Sequence, residues 1–327
     1  METKNFFKYV LIAFALTGVL FTGCNKDDDD DDDDTSINYY QEMKTYMTGN
    51  GLDLSDVVSE WIITAADVNT NGTENYYIID IRSADDFAAA HIDGAHNTTL
   101  ANVLTEAENA DKPILMVCYT GQTAAHAHTA LRLSGYSDCK VMMFGMSAWN
   151  SDLDSWTNNT GNIATGHSNW STVNAIETPV TFSEPTFTAT AEAGADILAE
   201  RVQYMLDEGF KGVSSADVLA APTDYFINNY WTTTDVDTYG HIVSAYRIKE
   251  DLTFANGGFE NLDAASTVVT YCWTGQTSSL ITAYLTVLGY DALSLKFGAN
   301  GMIHDALQGH KWTVDASNDF PVVSSNN

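Results

Sequence analysis

The stretch Ile114-Leu115-Met116-Val117-Cys118-Tyr119-Thr120-Gly121-Gln122-Thr123 decides the fold because the chain contains it twice, the second time as Val268-Val269-Thr270-Tyr271-Cys272-Trp273-Thr274-Gly275-Gln276-Thr277. A repeat must be recognised before elements are assigned, since each copy constrains the reading of the other. The apolar residues before each cysteine read as a buried strand. Residues 124–133 and 278–288 have the length and the small or aliphatic content of a helix that ends at glycine. Seventeen residues beyond each cysteine stands Gly-Tyr, at Gly135-Tyr136 and Gly289-Tyr290, followed by Phe144-Gly145 and Phe297-Gly298. Each copy is therefore strand, cysteine loop, helix, strand.

Working outward, residues 76–81 and 225–227 read as further strands, and residues 39–47 and 199–205 as helices leading in. Alternation of strand and helix predicts an α/β fold, each half a parallel sheet flanked by helices, with the cysteine loop at a strand's carboxyl end. A chain of 327 residues accommodates two such domains, and its hydrophobic fraction of 45% is that of a folded protein. The boundaries read as domain 1 over residues 38–157, a Thr-, Asn- and Ser-rich linker over 158–194, domain 2 over 195–318 and a tail over 319–327.

The formal charge is −30, from 44 acidic and 14 basic side chains, and residues 27–34 are an unbroken run of aspartates. Such a field repels phosphate backbones, which argues against nucleic-acid binding. Lys4 and Lys8 precede an apolar stretch over residues 9–21, too short to span a bilayer, and small residues lead to Cys24. This segment resembles a bacterial lipoprotein signal over residues 1–23. The resemblance implies cleavage between Gly23 and Cys24, lipidation of Cys24, and contact with membrane through that anchor alone. The acidic tether over residues 24–37 is similar to the surface-export signal of Bacteroidota lipoproteins, implying the outer face of the outer membrane, with a periplasm-facing protein as the alternative.

Several motifs in the first half resemble the rhodanese family. Asp80-Ile81-Arg82, then Asp86-Phe87, then His91-Ile92-Asp93-Gly94-Ala95 with Asn97, are similar to its Asp-x-Arg, acidic-aromatic and His-Ile-x-Gly-Ala-x-Asn segments. Phe144-Gly145 through Trp149 is similar to its closing Gly-Gly-x-x-x-Trp, with Phe in place of the first glycine. The second copy diverges, with Asn228-Asn229-Tyr230 expected where Asp-x-Arg belongs and only His241-Ile242 and Ala245 left of the histidine segment.

The resemblance implies a sulfurtransferase: sulfane sulfur passes from thiosulfate or a related donor to Cys118 and Cys272 as persulfides, and then to a thiol or cyanide. No cofactor or metal is required. Small sulfur compounds, or a protein persulfide or thiol, are the expected partners. A cysteine at a helix start within a ring of N–H groups is expected to have its pKa lowered. Tyr119, Thr120, Gly121, Gln122 and Thr123, with Trp273, Thr274, Gly275, Gln276 and Thr277, are expected to cradle the sulfur, with Asp80, Arg82 and His91 supporting. Neither loop carries a basic residue. In the strongly negative field this favours a neutral or protein-borne persulfide over a doubly charged donor.

Phosphatases of related fold use Cys, five residues, then Arg, but Ala124 and Ser278 stand there, which excludes phosphoryl chemistry. His126 and His128, two apart on one helix, cannot share a metal. Cys139 has no counterpart in the second copy and reads as a buried structural thiol. The missing basic loop residue and the eroded second copy leave an alternative: a non-catalytic surface binding module that retains the fold.

Overall fold

Each repeat supplies every strand of its own parallel sheet. The computed structural model describes residues 37–173 and 175–325. In the first repeat, α1 (Tyr39–Gly49) and α2 (Leu54–Val57) lead into β1 (Ile62–Ile63), α3 (Ala65–Asn71) and β2 (Tyr77–Asp80). There follow α4 (Ala84–Ala89), β3 (His96–Asn97), α5 (Val103–Ala107), β4 (Ile114–Val117), α6 (Gln122–Leu133), β5 (Lys140–Met142) and α7 (Met146–Trp149). A short β6 (Trp170–Ser171) lies in the connecting segment. The second repeat begins with α8 (Gly194–Glu208), β7 (Gly212–Val213), α9 (Ser215–Ala220), β8 (Phe226–Asn229) and α10 (Thr233–Tyr239). It continues through β9 (His241–Ile242), β10 (Ala245–Arg247), β11 (Val268–Tyr271), α11 (Gln276–Leu288), β12 (Ala292–Leu295) and α12 (Gly298–Met302).

The first sheet has the order β1-β5-β4-β2-β3 and the second, read in the same direction, β7-β12-β11-β8-β10, all parallel. The cysteine-bearing strands β4 and β11 are central in their sheets and buried along their whole length. A strand covered on both faces needs no polar alternation, which is why Ile114 to Val117 are uniformly apolar. Helices α6 and α11 pack against each other across the two repeats, and the Thr129 hydroxyl donates to the carbonyl of Leu280 at 3.0 Å. Alanines 124, 125, 127 and 130 are fully buried on α6 and permit the close approach.

The register corrects one reading. Asp80 lies opposite Val117, and Asn229 opposite Tyr271, each the last residue before a cysteine. Asn229 and Trp231 therefore occupy the places of Asp80 and Arg82, one residue beyond the Asn228-to-Tyr230 placement expected from the sequence. Both long helices also begin two residues earlier than expected, at Gln122 and Gln276, because Gly121 and Gly275 take left-handed conformations at the N-caps (φ 80° and 76°).

Neither the linker nor the tail is a simple connection. In the linker, Trp170 and Ser171 pair antiparallel with Ile242 and His241, Phe182 donates its N–H to Glu260, and Glu184 accepts from Lys44 at 2.8 Å. The tail returns to the first repeat. His91 and Val323 exchange backbone hydrogen bonds at 2.9 Å, and the Trp149 indole donates to the carbonyl of Pro321, also at 2.9 Å. Among the described residues no helix is long and apolar enough to cross a membrane. Cys24 and most of the acidic tether lie outside the described residues.

His126 and His128 point to opposite sides of α6. The His126 ring meets Phe210 of the second repeat edge-on, while His128 Nε2 lies 3.1 Å from the Val57 carbonyl. Burial pulls their pKa values down to about 4 and about 3. A histidine neutral in the folded state and protonated in the unfolded chain contributes stability that is complete above pH 6.5 and is lost as pH falls toward the folded value. Each histidine should thus cost about 1.4 kcal/mol per pH unit below 6.5. Urea unfolding at pH 7.5 and pH 5 tests this: the midpoint should fall steeply, and less steeply in the His126→Gln/His128→Gln chain.

Candidate functional site: two cysteine loops

Strand β4 ends at Val117 and α6 begins at Gln122, so four residues must reverse the chain. Gly121 makes this possible, and its N–H donates to Cys118 Sγ at 3.2 Å. The N–H of Ala124, in the first turn of α6, donates to the same sulfur at 3.4 Å, and that of Thr120 also faces it. The second loop matches one of these donors: the Ser278 N–H donates to Cys272 Sγ at 3.3 Å, and the Ser278 hydroxyl lies 3.6 Å from the same sulfur. Both cysteines are only 2% exposed. The sixth residue after each cysteine, weighed in the sequence only for its missing guanidinium, thus supplies a main-chain donor to the sulfur.

Each loop is held from behind by the turn after the next strand. The N–H groups of Met146 and Ala299 donate to the carbonyls of Cys118 and Cys272 at 2.8 and 3.0 Å. A Cβ on Gly145 would lie 2.3 Å from the Cys118 carbonyl oxygen, and one on Gly298 would lie 2.3 Å from that of Cys272. The residue before each of these glycines is a phenylalanine at φ 61°, a conformation costly for a bulky side chain. The cost is offset by ring packing. Phe144 and Phe297 meet Trp156 edge-on at 5.1 Å, Phe144 meets Trp312 at 5.2 Å, and the two tryptophans stack at 5.9 Å. This cluster seals the junction of the repeats directly behind the loops, and the Trp156 indole donates to Thr120.

The two sites differ at their entrances. In the first, buried Asp80 and Arg82 pair at 2.7 Å, and Arg82 also donates to the carbonyl of Ala90. The Arg82 guanidinium lies 5.8 Å from the Tyr119 ring, and the Tyr119 hydroxyl donates to Asp86 and Ser83. Hydrogen bonds from Ser83 and then Tyr119 hold the Asp86 carboxyl below the usual range. In the second, Trp231 replaces Arg82 and stacks on Trp273 at 4.4 Å, and His310 also stacks with Trp273, at 5.4 Å. Asn229, in the place of Asp80, donates to the Tyr271 hydroxyl. A salt-bridged, polar entrance has become a neutral, aromatic one.

Other expected site residues fall elsewhere. Gln122 and Gln276 do not face their own sulfurs but lie against the opposite loop, within 3 Å of where a Cβ on Gly275 or Gly121 would stand. Thr120 accepts from the Gln122 amide and Thr274 from the Gln276 N–H, while Thr123 and Thr277 are half-buried at the helix starts. His91 stacks on Phe87 at 3.9 Å, with Nδ1 2.7 Å from the Phe87 carbonyl, so it braces α4. Cys139 is buried, and its thiol is pushed up by burial. A cavity of about 400 Å³ between the linker and α10 includes His241, Asp237 and Arg247 in its lining but neither cysteine loop.

The expected lowering of the thiol pKa is corrected for Cys118. Burial raises it, and the amides of Ala124, Thr120 and Gly121 only partly offset that rise.

Fold and loops together define an α/β protein whose central strands each lead to a cysteine sulfur that accepts a backbone N–H from the first turn of the following helix. A Rhodanese-like domain model matches residues 64–152. The thiosulfate sulfurtransferase GlpE of Shewanella oneidensis is 34% identical over 85 residues, 25% of this chain and 83% of that protein. GlpE of Pseudomonas putida is 38% identical over 79 residues, 23% of this chain and 71% of that one. The crystal structure of the 3-mercaptopyruvate sulfotransferase SseA from Escherichia coli matches at 14% identity and a TM-score of 0.29, covering 72% of this chain and 97% of that one. The chain belongs to the rhodanese-like family.

Two outcomes follow for the site. The rate of Cys118 alkylation by iodoacetamide, followed by peptide mass spectrometry, should still rise above pH 8.5, the ordinary cysteine midpoint; a plateau below pH 8 contradicts the burial argument. Gly145→Ala should cost about 2 kcal/mol or more, read by urea unfolding, because the methyl would enter the Cys118 carbonyl and main-chain atoms cannot step aside.

Proposed function

We propose that the protein is a sulfurtransferase that carries sulfane sulfur on Cys118. The observation that carries this reading is the convergence of the Gly121 and Ala124 N–H groups on one sulfur at the start of α6. Donors fixed in a dry loop stabilise a sulfur anion without reorganising. The Cys118 thiolate attacks the outer sulfur of the donor. A Cys–S–S bond forms as the donor's sulfur bond breaks, and thiosulfate would leave sulfite. A thiol or cyanide then takes the terminal sulfur and the thiolate returns. Because Cys118 is only 2% exposed while the adjoining Tyr119 reaches solvent, the Tyr119 side of the loop must open for the donor to enter. Asp86 at that entrance, added to the net charge of −30, favours a neutral or protein-borne persulfide donor over thiosulfate.

The second copy supports a narrower role. Trp273 is stacked with both Trp231 and His310 and the Asp–Arg pair is gone, so Cys272 turns over more slowly than Cys118 in this proposal. The same enclosure of both thiols is what favours the alternative of a binding module without turnover. We further propose that Cys24 carries the lipid anchor and that residues 27–34 place the protein on the outer face of the outer membrane; the basis is the sequence pattern alone.

Persulfide formation tests the proposal. Exposure of the full chain to polysulfide or thiosulfate should leave one added sulfur on the Cys118 peptide, and cyanide should remove it as thiocyanate. Cys118→Ser should abolish most turnover, Cys272→Ser less of it. A double variant with full activity would end the assignment, and a Cys118 that never gains sulfur would leave the binding module.

A further inference from the structure

The two glutamines that follow the loop glycines occupy matching positions but are bonded differently. Gln122 Oε1 accepts the N–H of Phe297 at 2.9 Å, and Gln122 Nε2 donates to Thr120 Oγ1 at 3.1 Å. Its side chain therefore ties the first cysteine loop to the turn behind the second. Gly298, next in that turn, is in van der Waals contact with the second loop: a Cβ there would stand 2.3 Å from the Cys272 carbonyl oxygen and 2.9 Å from the Gly275 nitrogen. The N–H of Ala299, one residue on, donates to the Cys272 carbonyl at 3.0 Å. A continuous path thus runs from Gln122 through Phe297, Gly298 and Ala299 to Cys272. The reciprocal path is missing. Gln276 lies over Gly121, yet neither its amide oxygen nor its nitrogen has a hydrogen-bond partner among the described residues, although the residue is 1% exposed.

We infer that Gln122, which sits in the Cys118 loop, is a positioning residue for the Cys272 loop, and that the hydrogen-bonded link between the two sulfur sites passes through Gln122 and not through Gln276. Gln122 Oε1 holds the main-chain N–H of Phe297, whereas among the described residues Gln276 meets the first loop by packing. Any rearrangement that admits a donor at Cys118 and displaces Gln122 frees the Phe297 turn and loosens the support of Cys272. The functional meaning rests on the sulfurtransferase reading; the positioning itself does not, because alkylation reports the setting of a thiol whether or not it carries sulfur.

The test compares, in the full chain, the pH–rate profile of iodoacetamide alkylation at Cys118 and Cys272, resolved by peptide mass spectrometry. Gln122→Leu keeps the side-chain bulk and removes the acceptor. It should speed alkylation at Cys272 by about 2- to 30-fold, the range of ordinary energetic coupling between linked sites, and shift that cysteine's pH profile. Thr120→Val, which removes only the bond within the first loop, should leave Cys272 unchanged, and Gln276→Leu should leave Cys118 unchanged. An unaltered Cys272 in folded Gln122→Leu protein overturns the inference, as does a Cys118 response to Gln276→Leu equal to the Cys272 response to Gln122→Leu. Should Gln122→Leu not fold, amide exchange at Phe297 in the unsubstituted chain decides: protection is expected, and exchange at the rate of a free amide overturns the inference. Failure to form any persulfide would refute the sulfurtransferase reading while leaving these alkylation results standing.

Discussion

The structure turns on one geometric demand: a central strand must give way to a helix within four residues while the intervening N–H groups point inward at a sulfur. Left-handed glycines at 121 and 275 meet the first part of that demand and the opening turns of α6 and α11 meet the second. Everything around the loops serves to hold this turn. Gly145 and Gly298 press on it from behind, and the rings of Phe144 and Phe297, forced into left-handed backbone, lock the pressing turns against Trp156 and Trp312. Strain at these phenylalanines and dense aromatic packing are two sides of the same arrangement.

Much of this was legible in the sequence because repetition made it so. The duplicated cysteine loop, the Gly-Tyr spacing and the Phe-Gly pairs pointed to two parallel α/β sheets with each cysteine loop at the carboxyl end of a buried strand; that these strands are central came from the structure. What escaped was information not written as side-chain type. The donors from Ala124 and Ser278 are main-chain groups, and any residue there except proline supplies one. The loop glutamines looked like sulfur ligands because they adjoin the cysteines, but a helix start turns them outward toward the other repeat. The placement of Asn229 and Trp231 needed the strand register, since a divergent Asp-x-Arg offers two readings one residue apart. The thiol pKa depended on burial, which outweighs favourable amides in a closed loop and which no local sequence encodes.

The repeats diverge where function and stability separate. Asp80 and Arg82 form a buried ion pair, whose net worth is small because desolvation offsets attraction, yet whose halves cannot be removed singly. In the second copy both members are replaced together, by Asn229 and Trp231, and the Trp231 ring fills the guanidinium's place against the loop aromatic. The fold tolerates the exchange because stacking substitutes for charge pairing. The chemistry beside the loop changes with it, from a paired charge to stacked neutral rings.

The return of the tail to the first repeat bears on how the molecule is assembled. Residues 320–325 complete the surface over Trp149 and the edge beside His91, so a segment that follows the second repeat in the chain closes the first. Ordinarily an N-terminal unit closes while synthesis continues. Here the first half acquires this cover once residues 320–325 have been made, so its completion depends on a segment that lies beyond the second.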